Sequence, residues 1–207
     1  MPASDHLVLP NRGDLVRRTP IVVFGLIWFG VGISMLLLAN LGAAPWDLLH
    51  QGLENVTGIS IGTIIILVGV LLIAAFPLMG ERFGVGTILN VLVIGPVVDI
   101  CLALFDEPDA LWIRVLLMLG GPVAIAIGSG FYIGGGLGPG PRAGLMTGFA
   151  NKGFTVWKVR TIIEATVVIV GLILGGTLGL GTVWFTVSIG PLVQFFLRRL
   201  TFLPAID

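Results

Sequence analysis

The feature that most constrains this chain is a series of long runs that contain no charged residue. These runs cover residues 19–46, 59–80, 115–141 and 165–197 of a 207-residue sequence. A helix that crosses a bilayer needs roughly 20 mostly apolar residues, and every run is at least that long. Charged residues make up only 11 % of the chain, and its mean hydropathy is +1.08. The sequence therefore predicts an all-α polytopic membrane protein.

Composition also narrows the function. The single cysteine, Cys101, excludes an internal disulfide, and His6 and His50 have no ligand partners at metal-binding spacing. The formal net charge is zero and no basic patch with interleaved aromatic residues is present, so nucleic acid is not an expected partner. We expect no enzymatic activity, no cofactor and no metal. The expected partners are the lipid bilayer and a small-molecule solute, and assembly into a homo-oligomer is compatible with the sequence.

The chain repeats itself at an offset of 95 or 96 positions. The phrase LGAAPWDLLHQG at 41–52 matches LGPGPRAGLMTG at 137–148, and GVGT at 84–87 matches GLGT at 179–182. Isolated matches between Gly and Leu arise easily by chance, whereas ordered motifs at nearly one offset do not. This pattern indicates an internal duplication.

Each repeat unit is predicted to contain three spanning helices and one short helix that does not cross the membrane. An N-terminal segment at 1–18 precedes the first unit, 19–106, and a tail at 200–207 follows the second unit, 107–199. The predicted helices of the first unit are 19–39, 45–56, 59–78 and 84–104. Those of the second unit are 112–134, 141–151, 155–175 and 180–199. The short helices begin at Pro45 and Pro141, and proline suits the first turn of a helix. Each has a length near 17 Å at roughly 1.5 Å per residue, which is about half of a bilayer.

The charges outside the apolar runs indicate six crossings. With six spans, the Lys and Arg clusters fall on the same side as both termini, and the acidic loop with Asp106, Glu107 and Asp109 falls on the other side. Only Arg114 departs from the rule that places positive charge in the cytoplasm. We therefore predict a multi-pass protein of the cell membrane with cytoplasmic N and C termini. Three spans per unit make the fold a 3+3 inverted repeat, with the two short helices as re-entrant half-helices that enter from opposite faces.

The starts of the half-helices are the predicted binding site. A helix that begins inside the membrane presents unpaired N–H groups and the positive end of its dipole, which favour a polar or anionic ligand. Glycine in the preceding loop permits positive φ and close approach of another backbone. The loop positions assigned to this site are Gly42, Pro45, Gly138, Gly140 and Pro141. The alternative is that both short helices lie on the membrane surface.

Polar side chains near these starts are the candidate ligands. Arg142 follows Pro141, where a cation would strengthen an anion site, although an interfacial positive charge is an alternative interpretation. Asp47 suits the dipole at the first turn of its half-helix, and that local stabilisation alone would explain it. His50 could titrate near neutral pH or simply face solvent.

Further candidates lie on the spanning helices. Arg160 and Glu164 are four residues apart, so they share a helix face and could pair. Ionisable groups inside a membrane usually face a cavity or one another, so this pair either shapes the site, with Glu164 available for proton coupling, or fixes helix packing. Asn90 is a sixth candidate side chain for the site. Asp99 is predicted on the opposite face of the same helix, so the two are not expected to share one site, and each could instead make an interhelical hydrogen bond.

The motifs LGAAPWD, GLGPGPRAGLM, VRTIIE and the two G-x-G-T repeats resemble those of the YczE family of bacterial membrane proteins, in the YczE/YyaS/YitT group. The resemblance extends from about residue 15 to residue 197 and implies a small multi-pass membrane protein, without implying a substrate. Members of this family commonly have Asp after the G-P-R motif, where this chain has Ala143. That departure leaves Asp47, in the matching place of the first unit, as the carboxylate at these positions.

These observations predict a secondary transporter or permease for a small polar or anionic solute. The solute would bind near the membrane midplane, between Arg142 and the backbone of residues 41–47. Two alternatives remain open from the sequence. One is a passive channel of the same inverted-repeat type, and the other is an accessory membrane subunit of a larger complex.

Overall fold

Helices form nearly all of the structure, a computed structural model that describes residues 7–8 and 11–200. The elements are β1 (Leu7–Val8), α1 (Arg12–Ala39), α2 (Pro45–Thr57), α3 (Ile61–Ala74), α4 (Phe76–Met79), β2 (Phe83–Gly84), α5 (Val85–Leu104), α6 (Leu111–Gly134), α7 (Pro141–Asn151), α8 (Val156–Ile173) and α9 (Leu180–Leu200). The strands β1 and β2 pair in parallel. Residues 1–6, which include His6, and 9–10 of the predicted N-terminal segment lie outside the described residues, as does the predicted tail from 201 to 207.

Within residues 7–8 and 11–200, five helical segments are long and apolar enough to cross a membrane. They are α1, the joined α3 and α4, α5, α6 and α9. The predicted all-helical membrane protein is confirmed at this level. The sixth predicted span is α8, whose 18 residues include Lys158, Arg160 and Glu164. With three charged residues among its 18, α8 is not one of the five segments, and crossing by α8 stays a prediction.

Two helices differ from their predicted bounds by more than two residues. The first helix begins at Arg12 instead of residue 19, because the side chain of Asn11 accepts a hydrogen bond from the backbone N–H of Asp14 at 2.9 Å and caps the helix. The third helix is interrupted at Ala75, just ahead of Pro77. Proline lacks the N–H that would continue the helical ladder.

The centre of the fold is an antiparallel pair formed by α1 and α6, which touch through glycines. A Cβ atom added at Gly25 would lie 2.7 Å from the carbonyl oxygen of Gly128, and one added at Gly32 would lie 2.7 Å from that of Gly121. Larger residues at these positions would force the helices apart. Gly25 and Gly32 are the repeat equivalents of Gly121 and Gly128, so each helix contributes the same two positions to the contact.

The other helices pack around this pair in matching positions. Helix α5 packs on α1 and α9 packs on α6, while α2 packs on α8 and α7 on α3 and α4. Helices α3 and α5 are also tied by Asp99, whose carboxylate accepts hydrogen bonds from the Ser60 hydroxyl at 2.7 Å and from the Gly62 N–H at 2.8 Å. Asp99 therefore makes interhelical hydrogen bonds, the role considered for it from the sequence.

Arg114, the exception to the predicted charge pattern, is fully engaged at the end of α6. Its guanidinium lies 3.0 Å from Glu107 and donates hydrogen bonds at 2.8 Å to the carbonyls of Ala39 and Asn40. These two carbonyls lie at the end of α1, where helical carbonyls lack intrahelical partners. Arg114 thus caps α1 and links it to the acidic loop.

Candidate functional site

The loops that precede the two short helices have the same backbone conformation. Gly42 has a φ of 117° and Gly138 a φ of 122°, values that residues with a side chain rarely adopt. The residues just before the prolines, Ala44 and Gly140, are both extended, with φ/ψ of −64°/155° and −66°/156°. This shared geometry explains why the phrase around residues 41–52 recurs at 137–148.

Each loop is held by a helix from the other half of the sequence. The N–H of Gly181, at the start of α9, donates to the carbonyl of Leu41 at 2.8 Å. Likewise the N–H of Gly86, at the start of α5, donates to the carbonyl of Leu137 at 2.7 Å. The absence of side chains lets the backbones meet: a Cβ on Gly42 would lie 2.6 Å from the nitrogen of Gly179.

The threonines of the G-x-G-T motifs complete this arrangement. The hydroxyl of Thr182 donates to the carbonyl of Ala43, and that of Thr87 donates to the carbonyl of Pro139, both at 2.7 Å. Non-helical backbone is tolerated at membrane depth only if its polar groups find partners. The repeated motif therefore supplies those partners to the loop of the opposite half.

The two short helices begin close together. Both start with proline, and within the described residues neither has a capping side chain that accepts a hydrogen bond from its first turn. Their first-turn N–H groups therefore add positive potential to the region where the starts meet. That region holds a cluster of four side chains, Trp46, Asp47, His50 and Arg142, which we call the central cluster.

Arg142 reaches from the start of α7 to the start of α2. Its Nη2 atom lies 3.7 Å from Oδ1 of Asp47, and its guanidinium lies 4.9 Å from the centre of the Trp46 ring. A guanidinium at that distance from an aromatic face is stabilised by a cation–π interaction. The predicted candidates Asp47 and Arg142, far apart in sequence, are therefore in direct contact.

His50 lies one helical turn beyond Asp47 and is equally buried, each with 1 % of its side chain exposed. Its Nδ1 atom is 3.3 Å from Oδ1 of Asp47, in poor alignment for a hydrogen bond. Among the residues that the structure describes, none forms a hydrogen bond with either ring nitrogen or with that carboxylate oxygen. A buried polar group without a partner is costly. Because Nδ1 and Oδ1 face each other, Nε2 of His50 is the atom that water or a ligand would have to satisfy.

A cavity of about 520 Å³, the first cavity, opens on one side of the central cluster. Its polar side chains are His50, Asn90, Ser129, Tyr132 and Arg142, and the loop ahead of α7 contributes Gly136, Gly138, Pro139, Gly140 and Pro141. The rest of its wall is apolar, with Phe29, Ile33, Ile65, Val68, Leu72, Val91, Ile94 and Ile133. The first cavity thus combines a polar end with an apolar body, the usual character of a small-molecule site.

A smaller cavity of about 250 Å³, the second cavity, also borders the central cluster. It is lined by Asp47, Arg142, Arg160 and Glu164, and by Trp46 and Phe185 among others. Arg160 and Glu164 form the predicted ion pair, with Nε and Oε1 2.9 Å apart. The second cavity therefore carries two acidic and two basic side chains.

All six predicted side chains consequently line one cavity or both. Asn90 and His50 lie in the first cavity, and Arg160 and Glu164 lie in the second, so these two pairs are not in one chamber. Arg142 lines both. Gly138, Gly140 and Pro141 line the first cavity, and Pro45 lines the second, whereas Gly42 lies in the loop behind it.

Four residues that contribute to the site were not predicted as site residues from the sequence. Trp46 stacks under the guanidinium of Arg142, and Tyr132 donates from its hydroxyl to the carbonyl of Gly138 at 3.2 Å. Thr87 and Thr182 hold the loops. The threonines had a visible signal, because both stand at the same place of a repeated motif. Tyr132, the one tyrosine of the chain, had none beyond its rarity.

The described residues contain no group of three or more His, Cys, Asp or Glu side chains that could hold a metal ion. The polar groups that meet at the helix starts are instead one guanidinium, one carboxylate, one imidazole and backbone N–H groups. These groups suit hydrogen bonding and charge pairing with an organic solute.

Comparisons with known proteins place the chain in a family. Residues 16–198 match the model of a family of unknown function, DUF6198. An uncharacterized protein of Haemophilus influenzae is 36 % identical over 191 residues, which cover 92 % of this chain and 88 % of that protein. The uncharacterized membrane protein YczE of Bacillus subtilis is 30 % identical over 191 residues, 91 % of this chain and 89 % of YczE. No solved structure matches the chain. The resemblance to YczE is thereby confirmed, and the chain belongs to the DUF6198 family of membrane proteins.

Proposed function

We propose that this protein is a secondary transporter for a small organic anion that also has an apolar portion. The observation that carries the proposal is the position of Arg142. This cation stands where two helix starts meet, and it lines both cavities. A solute anion bound to Arg142 could therefore be reached from either chamber in turn.

The chemistry of the first cavity supports the choice of solute. A guanidinium binds carboxylate, sulfonate or phosphate groups through paired N–H donors, and the start of α7 adds further N–H groups and a positive dipole end. The remaining wall is apolar and would bury the body of the solute. A cavity of about 520 Å³ has room for a molecule of that kind.

Reciprocal contacts between the two halves support a 3+3 inverted repeat. The glycine contacts between α1 and α6 and the hydrogen bonds that hold the two loops occur in matching pairs. The far ends of the short helices also have different neighbours. Asn55 of α2 donates to the carbonyl of Gly175, and Asn151 of α7 donates to Glu81. In the proposed topology these neighbours lie on opposite faces of the membrane, so α2 and α7 enter as re-entrant half-helices from opposite sides.

This topology places six spans in the cell membrane, with α8 as the sixth and both termini in the cytoplasm. Charged residues on a spanning helix are compatible with this topology because Arg160 and Glu164 line the second cavity and pair with each other, so they are not isolated in lipid. Transporters with interrupted helices in two opposed repeats bind their solutes between those helices. The proposed solute site likewise lies between the two short helices, at Arg142.

The test is transport by the purified protein in liposomes. The probes are radiolabelled benzenesulfonate and 2-naphthalenesulfonate, permanent anions with an apolar body that cross lipid slowly. We expect saturable uptake of at least one probe, its loss in Arg142→Gln, and unchanged uptake in Arg199→Gln. Arg199 is a suitable control because it is an exposed arginine that also stacks on an aromatic ring, that of Phe195. Equal uptake by liposomes without protein, or by both variants, would contradict the proposal.

A passive channel is the second candidate, and one observation favours it. Phe29, Ile33, Arg142 and Ala143 line both cavities, so a displacement of the Arg142 side chain would join the two chambers. A carrier would show counterflow, in which unlabelled probe inside the liposomes accelerates entry of labelled probe. A channel would show neither counterflow nor saturation in the millimolar range.

A further inference from the structure

His50 and Asp47 make a pair that the proposed solute site does not itself require. Both side chains are buried, and His50 lines the first cavity, where its ring nitrogens lack hydrogen-bond partners among the described residues. The carboxylate of Asp47 is nearest to Nδ1. A neutral imidazole next to a carboxylate carries its proton on the nitrogen that faces the carboxylate, which leaves the lone pair of Nε2 available.

The charged side chains near His50 come from three helices, α2, α7 and α8. Asp47 lies on the same helix, Arg142 comes from α7, and Arg160 and Glu164 come from α8 across the second cavity. Arg160 and Glu164 neutralise each other at 2.9 Å, and Arg142 neutralises Asp47. The groups that α3, α5 and α6 present to the first cavity, such as Asn90 and Tyr132, carry no charge at neutral pH. With a neutral His50, the empty site therefore has no net charge.

Binding of an anion would break this balance. A monovalent anion beside Arg142 leaves one buried negative charge without compensation, and such a charge is costly in a low-dielectric environment. Neutrality is restored if His50 takes up one proton, because Asp47 and the bound anion would then face two cations. The imidazolium would also convert Nε2 from an acceptor into a donor that can reach an anion in the first cavity.

On the basis of the proposed function, we infer that this protein couples its anion to one proton and that His50, supported by Asp47, is the proton-binding residue. The proton adds to Nε2 of His50 as the anion binds, from the side to which the site is open. Both leave together on the opposite side, and the imidazole returns to its neutral form. One anion and one proton move per cycle, so the cycle transfers no net charge.

The inference is tested by calorimetry on the purified protein in detergent with benzenesulfonate, 2-naphthalenesulfonate and octanesulfonate as probes. Titrations at one pH in two buffers of different ionisation enthalpy give the number of protons taken up per anion bound. For wild type we expect a value close to one. Because the probes are strong acids that stay deprotonated, any proton taken up binds to the protein.

Two variants separate the proton-binding role from a merely structural one. His50→Gln is expected to bind the anion about 10-fold or more weakly, since a charge-assisted hydrogen bond is lost, with proton uptake near zero. Asp47→Asn leaves Arg142 without a counter-ion, so we expect anion affinity to be kept or increased while proton uptake falls to near zero. Lys158→Gln, a change at an exposed lysine of α8, is the control and should bind like wild type.

The outcomes are distinct. Anion binding without proton uptake in wild type would overturn the inference and leave the proposed function standing, as would proton uptake that persists in both His50→Gln and Asp47→Asn. Failure of wild type to bind any of the three sulfonates would contradict the proposed function, and the inference with it. Internal acidification of liposomes during benzenesulfonate uptake, seen with a trapped pH dye in wild type and absent in Asp47→Asn, would support the coupling in a membrane.

Discussion

The guanidinium of Arg142 stacks on the ring of Trp46, and these two residues occupy the same position in the two halves of the chain. Each directly follows the proline that begins a short helix. The contact therefore joins equivalent points of the repeat, where a pseudo-two-fold axis between the halves would pass. At this position one half of the chain has a cation, and the other half has the aromatic ring that contacts it.

Removal of this aromatic surface should weaken the anion site without removing its charge. In Trp46→Leu, the cation–π interaction, worth about 0.5–2 kcal/mol, is lost and the guanidinium becomes less ordered. We expect the KM for sulfonate uptake to rise roughly 2- to 30-fold, the same free energy expressed as a ratio. Trp157→Leu is the matched control, because Trp157 also lies under a cation, Lys158 at 5.7 Å, but is exposed on α8. An unchanged KM in Trp46→Leu would show that the stack does not position Arg142.

The threonine hydroxyls that hold the loops should be important for stability. Thr87→Val and Thr182→Val each leave a loop carbonyl, of Pro139 or Ala43, without its donor. An unsatisfied buried polar group costs about 1–3 kcal/mol, so thermal unfolding in detergent should shift to clearly lower temperature in both variants. In Thr166→Val, the hydroxyl removed is bonded to Ile162 of its own helix, so this control should unfold like wild type. Equal unfolding temperatures for all three variants would contradict the assigned role.

The loop glycines should tolerate no side chain, for two separable reasons. Gly42→Ala and Gly138→Ala place a methyl group on a residue with positive φ, and that group would also lie 2.6–2.8 Å from backbone atoms of Gly179 or Gly84. Gly58→Ala shares only the first problem, since φ is 71° and nothing lies within 4 Å, and its cost should be about 1–2 kcal/mol. We expect Gly42→Ala and Gly138→Ala to be less stable than Gly58→Ala by size-exclusion recovery and thermal unfolding. Comparable behaviour of the three would mean that the loops can relax.

Cysteine labelling tests the opposite entry of the short helices. In a Cys101→Ser background, Val56→Cys at the end of α2 and Lys152→Cys just after α7 are both exposed positions. We expect an impermeant maleimide to label the first in intact cells and the second only after the membrane is opened or inverted. Labelling of both from the same side would refute the inverted repeat and the transport scheme that depends on it.

The helices could be placed from the sequence because their signals are local. Charge-free runs gave the long helices, and Pro45 and Pro141 marked the starts of the short ones where the structure has them. The two larger differences from the predicted bounds also have local causes, the cap at Asn11 and the break ahead of Pro77. The cap at Asn11 lies ahead of the apolar run and so outside the signal used for the first helix, whereas the apolar pattern continues through the break at Ala75 and hides it.

The site could be anticipated only as a set of separate residues. Arg142 and Asp47 were both candidates because each lies in the first turn of a short helix, but their contact depends on how α2 and α7 approach each other. The role of Trp46 could not be predicted, because nothing in the sequence distinguishes this aromatic residue from the many other apolar residues of the chain. The G-x-G-T motif showed that Thr87 and Thr182 are equivalent, yet the sequence does not say whether each serves its own half or the other.

The exchanged loop contacts have a consequence for the origin of the fold. Because the loop of each half is completed by a threonine and a glycine of the other, one half alone would leave carbonyls bare within lipid. In the proposed inverted topology, a single-unit ancestor could have satisfied them only by associating with a second copy inserted upside down. Gene fusion would then have linked two such copies and allowed equivalent positions, such as 46 and 142, to diverge.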